Sequence, residues 1–157
     1  MQISELKNDL SALGLSDNLN QATLLYLCCT ARKMKRKMSV LIEGNSGYGK
    51  SHLVTEVLKL FPREDRINIS TITQAGLMRL GNVEQKILFV LEKYNNSEVA
   101  LVLREVMSDG KATRLIYSGR SIERFTLVGP PTLVETTITS GKFSHENRSR
   151  SYAVGIN

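Results

Sequence analysis

Eight consecutive residues carry the clearest chemistry in this chain: Gly44, Asn45, Ser46, Gly47, Tyr48, Gly49, Lys50 and Ser51. They fit the pattern G-x-x-x-x-G-K-[S/T] at every position. Glycines at that spacing let backbone N–H groups turn inward around phosphate oxygens, where a Cβ would intrude. Lys50 supplies a point charge suited to the β- and γ-phosphates of a nucleotide, and Ser51 offers a hydroxyl to Mg²⁺. His52 follows directly and is counted with the phosphate-binding stretch. With ordinary residue frequencies, a chance match in a chain of this length is about a one-in-a-hundred event. A nucleoside triphosphate with Mg²⁺ is therefore the expected cofactor, and the loop pattern leaves ATP and GTP both open.

A phosphate loop also needs a strand-end carboxylate to hold the water shell of its Mg²⁺. Glu92, closing the apolar run Leu88-Phe89-Val90-Leu91, is the candidate. The residue after it is Lys93, and a cation is a poor general base for water at neutral pH. Either hydrolysis is weak or the base comes from elsewhere, with Glu43 and Glu98 as conceivable substitutes.

Two groups of cations could meet phosphates. Between residues 111 and 128, Lys111, Arg114, Arg120 and Arg124 stand against a single acid, Glu123. Binding by such residues would be independent of nucleic-acid sequence and sensitive to salt, with the Tyr117 ring able to stack on a base. An exposed hairpin kept soluble by its charge is the alternative. The run Arg32-Lys33-Met34-Lys35-Arg36-Lys37 reads first as a solvated linker near a helix C-terminus, and second as a nucleic-acid or phosphate contact. Cys28 and Cys29 are adjacent and lack metal-ligand spacing, so they read as small core residues.

The elements that must position these groups follow from pattern. Ile3, Leu6, Leu10 and Leu13 keep helical spacing, with Gly14 as the residue beyond the helix. Ser16 or Asp17 is expected to cap a second helix running to about Lys33, its apolar face carrying Ala22, Leu24, Leu25, Leu27, Cys28 and Ala31. Residues 39–43 form a β-rich run immediately before the phosphate loop, and a helix follows from Lys50 to about Leu60, ended by Pro62. A second strand is expected over 66–69, a short helix over 74–80 and a buried strand over 86–92. An amphipathic helix over 97–108 follows, stopped by Gly110. Residues 111–117 and 121–128 form a hairpin, and 132–137 and 151–156 two more strands. That alternation predicts an α/β fold with a mainly parallel sheet. The division expected is an N-terminal helical segment (1–37) leading into an α/β core (38–157) that carries the hairpin at about 111–128.

Composition sets the frame. The chain has 157 residues, 41% hydrophobic and 23% charged, with a net charge of +6. This is globular composition sufficient for one domain, and it excludes disorder and fibrous structure as global descriptions. No apolar run reaches the roughly 18 residues of a membrane span, and the N-terminus has no basic stretch followed by an apolar core. The expected compartment is the cytoplasm, with no membrane partner. A basic balance of this size is compatible with nucleic acid. No base-reading motif is visible.

Taken in order, these segments resemble the α/β core of an AAA+ ATPase, a three-layer P-loop NTPase sandwich. More narrowly, they resemble the helicase-type ATPase domains associated with zinc-finger DNA primases of phages and mobile elements, relatives of the minichromosome-maintenance helicases. The resemblance runs from about Asn18 to Asn157 through LLYLCCTARKMKRKMSVLIEG, KILFVLEKYN, VALVLREVMSDG, VGPPTLVETT and ENRSRSYAV. It implies a five-stranded mainly parallel sheet, Lys50 and Ser51 as the Walker A pair, and Glu92 as the Walker B acid. Thr136 or Thr137 would be the sensor-1 residue, with Thr137 preferred. Arg150, or alternatively Arg148, would be an arginine finger acting on a neighbouring subunit's nucleotide. Residues 111–128 would be the presensor-1 hairpin that follows a DNA backbone. The resemblance further implies a homo-oligomeric ring, DNA as a non-sequence-specific partner, and ATP-driven work in DNA replication or unwinding.

Two departures are visible. Lys93 stands where the family's Walker B glutamate would be, which opens the alternative of a nucleotide-gated binding module with little or no hydrolysis. The chain stops right after the fifth strand of the sheet, so the helical lid is expected to be absent or supplied by a partner polypeptide. No primase zinc motif is present. A small-molecule phosphotransferase on the same fold would need an arginine-rich lid and an acceptor pocket, and no such pair of elements is evident.

Overall fold

The computed structural model describes residues 2–35, 37–91, 97–117, 119–137 and 151–156. In chain order the elements are α1 (Ile3–Ala12), α2 (Leu19–Thr30), β1 (Ser39–Glu43), α3 (Lys50–Leu58), β2 (Arg66–Ile69), α4 (Gln74–Met78), β3 (Ile87–Val90), α5 (Ser97–Asp109), β4 (Lys111–Tyr117), β5 (Ile122–Val128), β6 (Thr132–Thr137) and β7 (Ser151–Gly155). Five strands make one parallel sheet in the order β2-β3-β6-β1-β7, and β4 and β5 pair separately as an antiparallel hairpin. Ile87, Leu88, Phe89 and Val90 are all buried because helices cover both faces of the sheet.

Strand alternation divides the core in two. Val40, Ile42, Phe89 and Val134 face a cluster with Leu10 of α1, Leu25 and Cys28 of α2, and Val57 of α3. Leu88, Val90 and Leu133 face the opposite cluster, with Leu77 of α4, Val102 and Val106 of α5, and Ala112 and Leu127 of the hairpin. Burying each such side chain contributes about 1.5–3 kcal/mol. The buried faces of α1 and α2 therefore share one core with the sheet. Cys28 and Cys29 are buried, and burial pushes both thiols up, that of Cys29 to about 12.

Several local expectations need correction. Ser16 and Asp17 do not cap α2: Ser16–Asn18 form a single 3₁₀ turn, and Asn18 stands at the helix start without a side-chain cap. Leu24 and Leu27 are exposed, while Thr23 and Cys29 are buried in their place. The helix is apolar nearly all round, so its spacing could not tell which side meets the sheet. Gly14 does sit just past α1, at φ 79°.

The basic run 32–37 is not a solvated linker throughout. Arg32 is buried, its Nη2 2.6 Å from Asp65 Oδ2, and its guanidinium lies 5.1 Å from the centre of the Phe61 ring. Lys86 approaches the other Asp65 oxygen at 3.6 Å. Lys37 has a buried side chain 3.8 Å from Glu84. Lys33 and Lys35 are exposed. Two cations of the run thus fix the chain leaving α2 against the segments flanking β2 and β3.

Candidate functional site

The phosphate loop connects the C-terminal end of β1 to the first turn of α3. Gly49 stands immediately before the helix at φ 76°, ψ 16°, and Gly47 lies at φ 86°. Both are left-handed conformations that a residue with a Cβ adopts only under strain. The first amides of α3 have no acceptor within the helix and point toward the loop, which makes an anion site of this end. Asn45, Ser46, Gly47, Tyr48, Gly49 and His52 are exposed, and Lys50 and Ser51 are half-buried. Lys50 Nζ donates to Gly44 O at 2.7 Å and Asn45 O at 2.6 Å, so its ammonium lies against the loop backbone. His52 Nδ1 lies 3.9 Å from Glu56 Oε1, a carboxylate that Lys59 also contacts at 2.6 Å.

The loop is clamped at its root by the neighbouring strands. Gly44 N–H donates to Thr137 O at 3.3 Å, and Ile156 N–H donates to Glu43 O at 2.8 Å. A Cβ on Gly44 would lie 2.8 Å from both the Ile156 Cγ1 and the Ile156 carbonyl oxygen. Gly44 is therefore required for close approach of backbone to backbone. Gly44→Ala is expected to cost about 2 kcal/mol and to lower Tm by about 4–8 °C, read by thermal denaturation. An unchanged Tm would mean that the end of β7 yields freely.

Thr136 and Thr137 end β6 beside the loop, in register with Ile42 and Glu43 respectively. Thr136 is buried on the sheet face that α3 covers, whereas Thr137 is half-buried on the other face and reaches the loop through its carbonyl. Glu43 is half-buried at the end of β1, and Glu98 is exposed in the first turn of α5. β3 ends at Val90, opposite Glu135 of β6. Glu92 and Lys93, which follow that end, lie outside the described residues, as do Arg148 and Arg150.

No group of three or more His, Cys, Asp or Glu side chains able to hold a metal occurs among the described residues. The donors at the loop, the first amides of α3, one ammonium and one hydroxyl, are of the kind that bind phosphate oxygens.

The hairpin pairs without a break from Lys111↔Val128 to Tyr117↔Ile122. The four cations expected on it do not behave alike. Arg114 turns toward α5 and binds Glu105 through two bonds, Nη1 to Oε2 at 2.8 Å and Nη2 to Oε1 at 2.7 Å. This pairing holds the Glu105 carboxyl below its ordinary range and raises Arg114. Lys111, Arg120 and Arg124 are exposed. Nothing in the spacing of the sequence signals the Glu105–Arg114 pair, because its partners sit on different elements that meet only by packing. A double-mutant cycle with Glu105→Gln and Arg114→Gln is expected to give a coupling of about 1 kcal/mol, the upper end for a half-exposed bidentate pair. Additive losses would show that the pair contributes nothing.

No protein-family model matches this chain, and no curated protein matches it either. Solved structures do. The crystal structure of NtrX from Brucella abortus in complex with ADP is similar over 98% of this chain at 18% identity, with a TM-score of 0.56. The same protein in complex with ATP is similar over the same share at 19% identity and a TM-score of 0.56. This chain spans 39% of the length of the NtrX chain. At that identity the likeness speaks for the fold. With a five-stranded parallel sheet, helices on both faces and the phosphate loop at the end of β1, the chain has the P-loop fold of the AAA+ ATPases.

Proposed function

We propose that this chain binds ATP with Mg²⁺ at the phosphate loop and hydrolyses it as an AAA+ module. The observation that carries this reading is the loop itself: two left-handed glycines, the open N-terminal turn of α3 and a half-buried lysine, all at the C-terminal edge of a parallel sheet. The ATP and ADP complexes of the structurally similar NtrX support the same ligand class. In this reading the loop amides hold the phosphates, and Lys50 exchanges its two backbone acceptors for β- and γ-phosphate oxygens. Ser51, with Glu92 as the family resemblance implies, would hold an Mg²⁺ ion, which would supply positive charge to the phosphates. Thr137, or Thr136, would touch the γ-phosphate or its attacking water. Arg150 would reach the nucleotide of a neighbouring copy.

Lys93 favours a second reading, a nucleotide-gated binding module with slow turnover. The two readings separate in one assay. Phosphate release from ATP is measured for the wild-type chain and for Lys93→Glu, with Lys50→Ala as the blank. A base supplied at this position is expected to raise turnover by about 10²-fold or more. Equal rates for wild type and Lys93→Glu, both well above the blank, would place the base elsewhere. No turnover in either, with ATP still bound, would leave the binding module as the function.

Of the DNA-directed role implied by the sequence resemblance, the geometry keeps three exposed cations on the hairpin and commits the fourth, Arg114, to Glu105. The company those three keep favours a different partner.

A further inference from the structure

The two faces of the hairpin differ in kind. Ala112, Arg114 and Ile116 of β4 and Phe125 and Leu127 of β5 turn toward α4 and α5, where Arg79 also lies 5.5 Å from the Phe125 ring centre. The root of the hairpin is tied to the body by Val83 N–H to Val128 O, Val128 N–H to Gly81 O and Gly129 N–H to Gly110 O, at 2.7–2.8 Å. The opposite face carries the pairs Tyr117↔Ile122, Leu115↔Arg124, Thr113↔Thr126 and Lys111↔Val128. On it Leu115 is 66% exposed, Tyr117 71% and Ile122 69%. These three are contiguous, since Tyr117 and Ile122 are directly opposite and Leu115 is two residues along the same face. Arg124 and, at the turn, Arg120 lie beside them, and Lys111 stands at the root of the same face beyond the Thr113↔Thr126 row, while the acid of the hairpin, Glu123, is in register with Ile116 on the opposite face.

A solvated hairpin face ordinarily carries polar residues, and clustered apolar side chains rimmed by charge mark a contact surface. We propose that this outer face docks an acidic polypeptide segment bearing apolar side chains, supplied by a partner protein. Charge complementarity selects an anionic partner, because the rim of that face is cationic. The apolar centre selects polypeptide over nucleic acid. Leu115 and Ile122 are branched aliphatics with no ring on which a base can stack, whereas single-strand platforms rely on aromatics. The ring of Tyr117 stays exposed while its hydroxyl donates to Gly119 O at 3.0 Å, so its polar end is already bound and its apolar face remains available. The site is separate from the phosphate loop, and its test does not depend on nucleotide binding.

The test uses the full chain and three probes: a peptide alternating glutamate with leucine, a peptide alternating glutamate with serine, and a single-stranded oligothymidylate. Binding is followed by fluorescence anisotropy of the labelled probe. The Glu–Leu peptide is expected to bind about tenfold more tightly than the Glu–Ser peptide. The double variant Leu115→Thr, Ile122→Thr keeps β-forming residues on an exposed face and is expected to erase that preference without moving Tm. Arg124→Gln is expected to weaken both peptides and to reduce the salt dependence. Equal binding of the two peptides, or no binding of the Glu–Leu peptide, would overturn the proposal. So would oligothymidylate binding that resists the double variant and is lost in Arg124→Gln, which would make the face a nucleic-acid surface.

Discussion

Lys50→Ala is expected to weaken ATP binding about 100-fold, the equivalent of a charge-assisted contact to phosphate, and to reduce ATP turnover to the buffer blank. The reason is positional. The Lys50 ammonium is held within 2.7 Å of two loop carbonyls, Gly44 O and Asn45 O, at the opening of α3. It therefore waits where phosphate oxygens would enter, and alanine leaves the phosphates only the helix end and the loop amides, with no full positive charge to balance them. The fold should survive, because the side chain is half-buried and contributes nothing to either core cluster. Tm should fall by no more than about 3 °C. Lys50→Arg is not expected to restore binding, since a planar guanidinium does not reproduce a compact ammonium in a tight loop. Retained ATP turnover in Lys50→Ala would mean that the loop is not the site of the chemistry.

The second large effect lies far from the loop. Asp65→Ala is expected to cost about 3 kcal/mol and to lower Tm by about 6–12 °C. Arg32 is buried and its Nη2 is 2.6 Å from Asp65, so removal of the carboxylate strands a guanidinium charge out of water. The loss belongs to the broken pair and is larger than the pair's own worth. Replacing both residues, Arg32→Met with Asp65→Ala, is accordingly expected to recover much of the stability. A double variant as unstable as Asp65→Ala alone would show that Arg32 acts through the Phe61 ring instead. The same pair predicts acid sensitivity. The hydrogen bond from Arg32, aided by the charge of Lys86 and opposed by burial, holds the Asp65 carboxyl below its ordinary range. Its folded value is thus below its unfolded value of about 3.9. The associated stability is full above that unfolded value and is lost as pH falls through the depressed folded one. Glu105, lowered by Arg114, adds in the same direction. Denaturation midpoints followed from pH 7 down to about pH 2 should show wild type losing stability below about pH 4, and the Arg32→Met, Asp65→Ala variant losing less.

Those two residues also mark where the sequence could and could not be read. The strands were legible because each is a short apolar run bounded by turn residues, and β1, β2 and β6 begin and end at the expected positions. The phosphate loop was legible for a different reason: its chemistry is local, with every participant inside eight residues. Arg32 was not, because its partner lies 33 positions away and a run of like charge has no internal signal of which cation turns inward. Leu24 and Leu27 were misplaced because α2 is apolar nearly all round, and only packing against α1, α3 and β1 decides its buried side. The hairpin was legible from its two β-like segments about Gly119, yet its register and its two faces were not. Arg114 and Arg124 look alike in sequence, and the meeting of Glu105 with β4 decides that one is a tether and the other a surface charge. Glu92, Lys93, Arg148 and Arg150 rest on pattern and resemblance, and their tests are kinetic.

The most direct measurement is a calorimetric titration of ATP with Mg²⁺ into the wild-type chain, run beside Lys50→Ala. One saturable site is expected, with a dissociation constant between about 1 μM and 1 mM, displaced by ADP and lost in the variant. A wild-type chain that stays folded yet takes up no ATP at about 1 mM, or a Lys50→Ala chain that binds as well as wild type, would contradict the assignment of the phosphate loop as a nucleotide site.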